Sequence, residues 1–423
     1  MATFEIIDGV GIIPEGTTII PPKAFCNANS LISVTIPNTI TTIAEGAFKN
    51  CGKLQQVAIP DSVVSIEKEA FHGCKSMTSL QLPAHLQQIS SMAFARCRSL
   101  TEVTIPDEVE QINHSAFQQC TALTEVKLSA ALKSISFNAF SQCSSLKHIS
   151  IPDSVTEIGD SAFKECTSLA AIELPKGLND IAGSLFYNCK MLENITIPAG
   201  VYNIGDNAFA GCSSLKELIL PAMLHGLGSL IIDGCHSLKR LFIPQHLIFI
   251  ESDTFFTSNH TIESIVVDEN NRHFDSRQGC NAIISTETNT LIFGCAATTF
   301  PPSVKRIESF AFYGCSGITT LTIPKTITTL ARGAFSNMPL LMEVTIPSSI
   351  KRVPRNAFDN CTELKRVEFT GSIKQIYSSA FYNCHPQLTL HIPADKVEMY
   401  EAIMANPHNW DSCFRVRVET IEQ

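Results

Sequence analysis

Cysteine is the residue type in this sequence whose number and spacing could support chemistry. The chain has 423 residues and 16 cysteines, and twelve of these recur in one setting, as in "AFKNCGKLQQVAIPDSVVSI" around Cys51. Recurring cysteines could form disulfides, bind a metal through thiolates, or supply nucleophiles. Each chemistry needs a particular geometry, so the elements that carry the cysteines have to be identified first.

A repeat of 23 residues organises almost the whole chain. Phenylalanine recurs at this interval from Phe25 to Phe209, Ile232 takes the next position, and the series resumes after an irregular segment and ends at Phe381. The fifteen units read approximately A-F-x-x-C-x-x-L-x-x-V-x-I-P-x-x-V-x-x-I-x-x-x. A fixed step of this length is typical of a repeat solenoid rather than of separate globular domains.

The L-x-x-V-x-I segment of each unit, for example Leu100, Val103 and Ile105, predicts a short strand. Apolar positions alternate in it, and the proline that follows cannot donate to a strand ladder. Stacked units would place these segments in one long parallel sheet, with the V and I side chains in the core and the x side chains in solvent. The second apolar pair, such as Val63 and Ile66, would return the chain through short extended pieces and 3-10 turns. Amphipathic helices are disfavoured because proline follows most of the apolar triplets.

The combination of A-F-x-x-C, L-x-x-V-x-I and a following proline resembles the leucine-rich repeats of the BspA type, also called the Treponema pallidum class. The resemblance extends over nearly the whole chain. It implies a β-rich leucine-rich-repeat solenoid, a right-handed superhelix shaped as a horseshoe or arc with a parallel sheet on one face. Members of the family are typically bacterial cell-surface or secreted proteins implicated in adhesion to host proteins and other cells. The resemblance therefore implies protein binding, adhesion and a cell-surface or secreted location.

The phase of the repeat predicts a division of the chain into five segments. They are an N-terminal partial repeat or cap (1–24), 23-residue repeats (25–261), an irregular repeat with a hairpin (262–300), further repeats (301–393) and a C-terminal cap with a short helix (394–423). The hairpin would pair Ala282 to Ser285 with Thr290 to Phe293 across "TETN". Caps are expected because the end coils of a solenoid would otherwise expose core.

The C-terminal cap departs from the repeat period. Val397, Tyr400 and Met404 fit one face of a short helix that stops before Pro407, and Trp410 could seal the last coil.

The twelve phased cysteines form one column, three residues after the phenylalanine position. Neighbouring coils lie about 5 Å apart, which is close enough for a disulfide, but stacked Cβ vectors would point the same way and not converge. Two units have Ser258 and Met338 at the cysteine position, so the repeat tolerates side chains there that cannot form a disulfide. The sequence therefore favours small buried thiols that donate weakly to turn carbonyls. A disulfide ladder and a thiolate metal ladder are the alternatives, as is a Cys280 to Cys295 bridge across the hairpin.

Composition and charge limit the classes of partner. With 40 acidic and 31 basic residues the net charge is −9, which gives no general attraction to nucleic acid or anionic membrane. No run of about 18 apolar residues exists, so no transmembrane segment is predicted. The start "MATFEIIDGV" has no signal-peptide features, which indicates a cytosolic protein if Met1 is the native start; a removed leader leaves the location open.

No pattern typical of a catalytic, metal or cofactor site is present. The sequence contains no P-loop, G-x-S-x-G or H-E-x-x-H motif. His225, His236 and His246 come closest to a cluster and are interpreted as surface turn residues. The sequence therefore predicts a non-enzymatic protein without a metal or cofactor.

The side chains between V and I in each strand should define the binding surface of a solenoid. In most units these positions hold polar or small residues, but three consecutive units have Ile219, Phe242 and Val266. Lys216, Glu217, Lys239 and Arg240 flank them. Apolar residues on a predicted solvent face favour a contact site for a protein partner, and the family resemblance implies an extracellular host protein as that partner.

Two alternatives accompany this interpretation. The hairpin of residues 262–300 could fold over the apolar residues and bury them. The function could also be that of a cytosolic interaction scaffold. It could instead be that of a carbohydrate-binding solenoid, but such a protein is expected to have aromatic side chains along the sheet face, and Phe242 is the only one among these positions.

Overall fold

Residues 4–251, 253–256, 261–405 and 417–421 are described by a computed structural model. The chain forms two compact units, Met1–Leu215 and Lys216–Gln423. Each unit is a β-solenoid in which short parallel strands from successive coils stack at an offset of 23 residues. Val34 lies opposite Val57 in the first unit, and Val344 lies opposite Val367 in the second. No helix in the described ranges has the length and apolarity to cross a membrane.

The L-x-x-V-x-I segments form what we call the first strand column of each unit. In the three-residue strands the central residue is buried and at least one of its neighbours is exposed to solvent, as the alternation of side chains in a strand requires. In the first unit the column consists of Val10–Ile12, Ser33–Thr35, Gln56–Ala58, Glu102–Thr104, Glu125–Lys127, His148–Ser150 and Ala171–Glu173, with Glu5–Ile7 added antiparallel to Val10–Ile12. In the second unit it consists of Glu217–Ile219, Arg240–Ile243, Ser264–Val267, Thr320–Thr322, Glu343–Ile346, Arg366–Phe369, Thr389–Pro393 and Arg417–Ile421.

The prediction of one long sheet in this column is wrong. In the first unit the column divides into sheets of four, two and two strands, and Ala58 and Gln81 share only an isolated bridge. In the second unit it divides into sheets of three and five strands. A strand that proline ends after about three residues offers few ladder hydrogen bonds, so a small local displacement interrupts the ladder.

The return side of the coil forms a second strand column, which the sequence interpretation described only as extended pieces. Its strands in the first unit are Ile19–Ile20, Thr42–Ile43, Ser65–Ile66, Gln88–Ile89, Gln111–Ile112, Ser134–Ile135, Glu157–Ile158, Asp180–Ile181 and Asn203–Ile204. The first seven of them pair as one parallel sheet. In the second unit they are Gly226–Leu227, Arg306–Ile307, Thr329–Leu330, Arg352–Val353 and Gln375–Ile376. Each two-residue strand buries its second residue, while the first is half-buried or exposed.

The turn that contains the phenylalanine is not a continuous 3-10 helix. Among the described residues 3-10 helix occurs only at Arg277–Gly279 and Ala394–Lys396. In the turns the residues two before and two after the phenylalanine have positive φ, for example 54° at Ser115 and 62° at Gln119 around Phe117. Their N–H groups donate to the next coil at 3.0 and 2.8 Å instead of within the turn, so no continuous 3-10 helix forms.

Phenylalanine rings fill the core of each unit as a continuous stack. From Phe25 to Phe209, rings of successive coils lie 5.0–6.2 Å apart and within 16° of parallel. Phe312 to Phe381 repeat the arrangement in the second unit. Distances of this kind are favourable for offset aromatic pairs, so the 23-residue step is fixed by side-chain stacking as well as by strand pairing.

The two local predictions for the second unit are confirmed. Ala282–Ser285 pairs antiparallel with Thr290–Gly294, with a β-bulge in the register. The α-helix Val397–Ala405 buries Tyr400, whose hydroxyl donates to the backbone oxygen of Gly371 at 2.8 Å. Trp410, Cys413 and Ser258 lie outside the described residues.

Candidate protein-binding surface

The cysteine column has a structural role. Among the described residues all fifteen cysteines are free thiols, and fourteen of them are buried. In ten coils the Sγ atom donates a hydrogen bond of 3.0–3.3 Å to the backbone oxygen of the phenylalanine in the preceding coil, which confirms the predicted bond to a turn carbonyl. The donors are Cys51, Cys74, Cys97, Cys120, Cys143, Cys166, Cys189, Cys212, Cys361 and Cys384.

Burial makes these thiols poor nucleophiles and poor metal ligands. Desolvation raises the pKa of Cys51 and of Cys120 to about 12, and it raises the pKa of Cys143 well above the ordinary range. The thiolate is the reactive form, and it is disfavoured in an apolar environment. Within the described ranges no group of three His, Cys, Asp or Glu side chains is placed to hold a metal ion. Burial therefore disfavours nucleophilic and metal-binding roles for the cysteine column.

The first strand column presents one outward side chain in each coil, between the V and I positions. In eight coils of the first unit this position holds exposed residues that are polar or small: Thr35, Ala58, Gln81, Thr104, Lys127, Ser150, Glu173 and Thr196. In the first coil it holds Ile12, which is 42% exposed. The second unit begins differently, with Ile219, Phe242 and Val266, and we call these three residues the apolar patch.

Strand pairing brings the members of the apolar patch together. Ile219 lies opposite Phe242 and Phe242 lies opposite Val266 in the same parallel sheet, so the three side chains are adjacent on one face. Ile219 is 58% exposed and Val266 is 47% exposed, while Phe242 between them is half-buried. The prediction that these residues share a solvent-facing surface is confirmed by this geometry; their role in binding stays a prediction.

Charged side chains form the rim of the apolar patch. Arg240 contacts Glu217 at 2.7 Å, and Lys239 contacts Glu263 at 2.7 Å. All four side chains are more than a third exposed, and Lys216 is exposed beside them. Such exposed pairs contribute little to stability. They present fixed charges of both signs around an apolar centre, which is the usual arrangement of a protein-binding surface. Glu263 was not singled out from the sequence, because it lies outside the V-x-I motif.

The hairpin does not cover the apolar patch. Phe274–Asp275, Ala282–Ser285 and Thr290–Gly294 form a sheet with the second strand column, where Thr290 lies opposite Arg306. Ser276 connects the hairpin to the first column by donating to the backbone oxygen of Ile265 at 3.1 Å, which is a contact with the backbone and not with the outward face. The alternative in which the hairpin buries the patch is wrong, because the exposure of Ile219 and Val266 contradicts it.

The family model for the BspA-type leucine-rich repeat region matches most of the chain. The matches cover residues 11–124, 87–213, 133–263, 180–286 and 293–409. The chain belongs to the BspA-type leucine-rich repeat family. This agrees with the stacked parallel strands and with the A-F-x-x-C turn of each coil. No match was found among curated proteins.

Solved structures similar to this BspA-type protein include several bacterial leucine-rich repeat proteins. One from Bacteroides ovatus is 25% identical, with a TM-score of 0.55, and the alignment covers 95% of this chain and 87% of that one. The pneumococcal vaccine antigen PcpA is 19% identical with a TM-score of 0.48, covering 99% and 96%. The T. pallidum leucine-rich repeat protein is 34% identical over 38% of this chain and 78% of its own, with a TM-score of 0.37. The Bacteroides ovatus structure supports the repeat fold.

Sequence reasoning missed two further exposed apolar residues in this BspA-type protein. Ile248 is 55% exposed and Phe249 is 61% exposed. They precede the buried Ile250 on the return side of the coil that carries Phe242. The run "LIFI" would have indicated them, since the two central positions of this segment are mostly polar in other repeats.

The three histidines that came closest to a cluster do not form one. His225, His236 and His246 are exposed, as predicted, and the rings of His225 and His246 stack 5.8 Å apart.

Proposed function

We propose that this chain is a non-enzymatic binding protein that recognises a protein partner through the apolar patch and its charged rim, in adhesion at a cell surface. The observation that supports the proposal is the exposure of Ile219 and Val266, next to Phe242, in a position that holds polar or small residues in eight coils of the first unit. An exposed isoleucine gains nothing from folding, whereas it contributes favourably when a partner removes it from water.

The chemistry of the partner surface follows from the patch and its rim. Phe242 lies at the centre of the patch, where a large side chain that is already half-buried can be covered completely at little entropic cost. The partner would therefore present an apolar protrusion or flat apolar face, surrounded by acidic and basic groups that match Arg240, Lys239 and Glu217. A cell-surface location and adhesion come from the family resemblance.

The binding test compares a patch variant with a matched control. Ile219→Thr combined with Val266→Thr replaces both exposed residues by the residue that Thr35 and Thr104 supply in equivalent positions, without a change of charge. The control is Thr104→Val, which alters the same position in the first unit. Each purified protein is immobilised and tested by biolayer interferometry against a panel of purified extracellular matrix glycoproteins.

The proposal expects at least one glycoprotein to bind the unaltered protein and the control equally. The double variant should bind that glycoprotein at least about tenfold more weakly, since two apolar contacts are lost. The proposal is wrong if no member of the panel binds, or if the double variant binds as tightly as the control.

A further inference from the structure

Basic side chains line the second strand column of the second unit, on the return side of the coils. We call Lys305, Arg306, Lys351, Arg352 and Lys374 the basic stripe. Arg306 is half-buried and the other four are exposed. The segment 301–376 contains ten Lys and Arg residues against five Asp and Glu residues, in a chain whose net charge is −9. The excess of positive charge is therefore confined to this segment, and it is not apparent from the negative net charge of the whole chain.

Strand register places the members of the basic stripe within four consecutive coils. Thr328 donates its backbone N–H to Lys305, and Lys374 donates to Lys351, at 2.9 and 2.8 Å. Arg306 lies opposite Thr329, and Arg352 lies opposite Gln375. Neighbouring parallel strands are about 4.8 Å apart. The cations thus follow a line that crosses the strands, with one coil of threonines between two coils of paired basic residues.

Folding does not account for the basic stripe. Like charges in directly neighbouring strands destabilise a sheet, so Lys351 beside Lys374 is a cost to the fold. The first unit shows that other residues suit these positions, since it has Gln87, Gln88, Thr156 and Asn179 there.

Little of this charge is neutralised within the chain. Arg306 contacts Glu308 at 3.2 Å. The ammonium groups of Lys305 and Lys351 donate to backbone oxygens, of Pro302 at 3.1 Å and of Ser348 at 2.6 Å. Among the described residues neither Arg352 nor Lys374 has an ion-pair partner.

A cleft of about 320 Å³ lies along the basic stripe. Lys351, Arg352 and Lys374 line it together with the hydroxyl-bearing residues Thr328 and Tyr377. Cations beside hydroxyl groups can bind a ligand that carries both anionic groups and hydroxyl groups.

We propose that the basic stripe binds a linear, sulfated or carboxylated polysaccharide laid across the strands. Such a chain would meet cations in nearly every coil, and clusters of Lys and Arg are a recognised feature of sites for anionic polysaccharides such as heparin. This site is separate from the apolar patch, since the two lie on different strand columns.

Other polyanions fit the basic stripe less well. Single-stranded nucleic acid needs a series of aromatic platforms for its bases, and Tyr377 is the one aromatic residue that lines the cleft. An extended acidic peptide would bind by adding a strand at a sheet edge, whereas the stripe lies on the face of paired strands. A membrane surface would favour apolar side chains among the cations, and the exposed members of these strands are polar.

The test measures the dissociation constant of a fluorescein-labelled heparin fragment for the full chain at ionic strengths of about 0.05 and 0.15 M. The stripe variant is Arg352→Glu with Lys374→Glu. The matched control is Lys127→Glu with Lys133→Glu, which changes the net charge equally at exposed positions of the first unit. Arg352→Gln with Lys374→Gln is a milder second variant, and thermal unfolding followed by circular dichroism checks that every variant is folded.

The proposal expects heparin binding that weakens with salt. The stripe variant should bind at least about tenfold more weakly, the glutamine variant should be intermediate, and the control should change less than about twofold. The proposal is overturned if the unaltered chain does not bind heparin at the lower ionic strength, or if control and stripe variants weaken binding equally. It is also overturned if an oligo(dT) strand or phosphatidylserine vesicles bind more tightly than heparin, since the stripe would then serve another class of partner.

Discussion

The thiol of Cys143 donates a hydrogen bond of 3.3 Å to the backbone oxygen of Phe117, which lies 26 residues earlier in the chain. The same oxygen accepts the N–H of Cys120 at 3.2 Å within its own turn. The cysteine therefore connects two coils at a point where its small size fits beside the phenylalanine stack. Its position explains why a column of cysteines can be architectural.

Thiol reactivity in the native protein should separate the column from other cysteines. Cys26 is only half-buried, whereas Cys143 is fully buried with a pKa raised by desolvation. We expect iodoacetamide to label Cys26 in the folded protein and to label Cys143 only after denaturation. Peptide mass spectrometry measures the labelled fraction at each site. Equal labelling rates for the two sites under native conditions would contradict the buried column.

Truncation of a ring should weaken the stack locally. Phe140 is fully buried, and its ring centroid lies 5.5 Å from that of Phe117 and 5.8 Å from that of Phe163. Phe140→Ala should lower local stability by about 3–5 kcal/mol, because it leaves a cavity and removes two stacking partners. Phe140→Ile should cost less, since Ile232 occupies the equivalent position in another coil. Native-state hydrogen exchange of the neighbouring amides measures both losses. An equal loss for the two variants would show that ring stacking, and not volume, dominates.

Stability should fall in mild acid partly through His72. Burial lowers the pKa of this histidine, Lys49 and Arg96 lower it further, and Glu69 opposes them. The unfolded chain therefore takes up the proton first as the pH falls below about 6.5, so the stability is full above that value and decreases as the pH approaches the folded-state pKa.

The variant His72→Gln isolates this contribution. We expect it to reduce the difference between the thermal unfolding midpoints at about pH 7.5 and about pH 5.5. The pKa of Glu69 is also lowered, by its hydrogen bond with Lys49, but a carboxylate titrates below this range. An unchanged difference would mean that His72 contributes nothing to the pH dependence.

The loss of stability on placing a charge in the apolar patch should depend on how exposed the replaced side chain is. Ile219→Lys should change the free energy of unfolding by no more than about 0.5 kcal/mol, because the side chain faces solvent. Phe242→Lys should cost about 1 kcal/mol or more, because half of a large apolar side chain is removed from its neighbours. Thermal unfolding followed by circular dichroism compares the two. A loss of several kcal/mol for Ile219→Lys would show that the patch is covered.

Periodicity in the sequence was sufficient to predict much of the fold. The V-x-I alternation located the first strand column, and the spacing of Ala282 and Thr290 around a polar turn located the hairpin. The same alternation placed Ile219 and Val266 on the outward face. These predictions succeed because a strand alternates its faces with a period of two, whatever the rest of the chain does.

Backbone conformation in the turns could not be read from the sequence. Positions with positive φ hold glycine in some coils, such as Gly73 and Gly211, but Ser115, Gln119 and Leu230 in others. Hydrogen bonds to the adjacent coil stabilise these conformations, and such bonds exist only when coils are stacked. The basic stripe could not be predicted from the sequence for a related reason. Lys305, Lys351 and Lys374 are far apart in the sequence, and the net charge of the chain is negative.

The sequence by itself determined the 23-residue coil, the family, the buried thiol column and the identity of the outward residues, since each follows from local alternation and repetition. Only the tertiary structure decided that the hairpin joins the second strand column and leaves Ile219 exposed. It also decided that distant lysines lie side by side on one face. The physical reason is that repetition specifies each coil, whereas pairing between coils specifies which surfaces remain in contact with water.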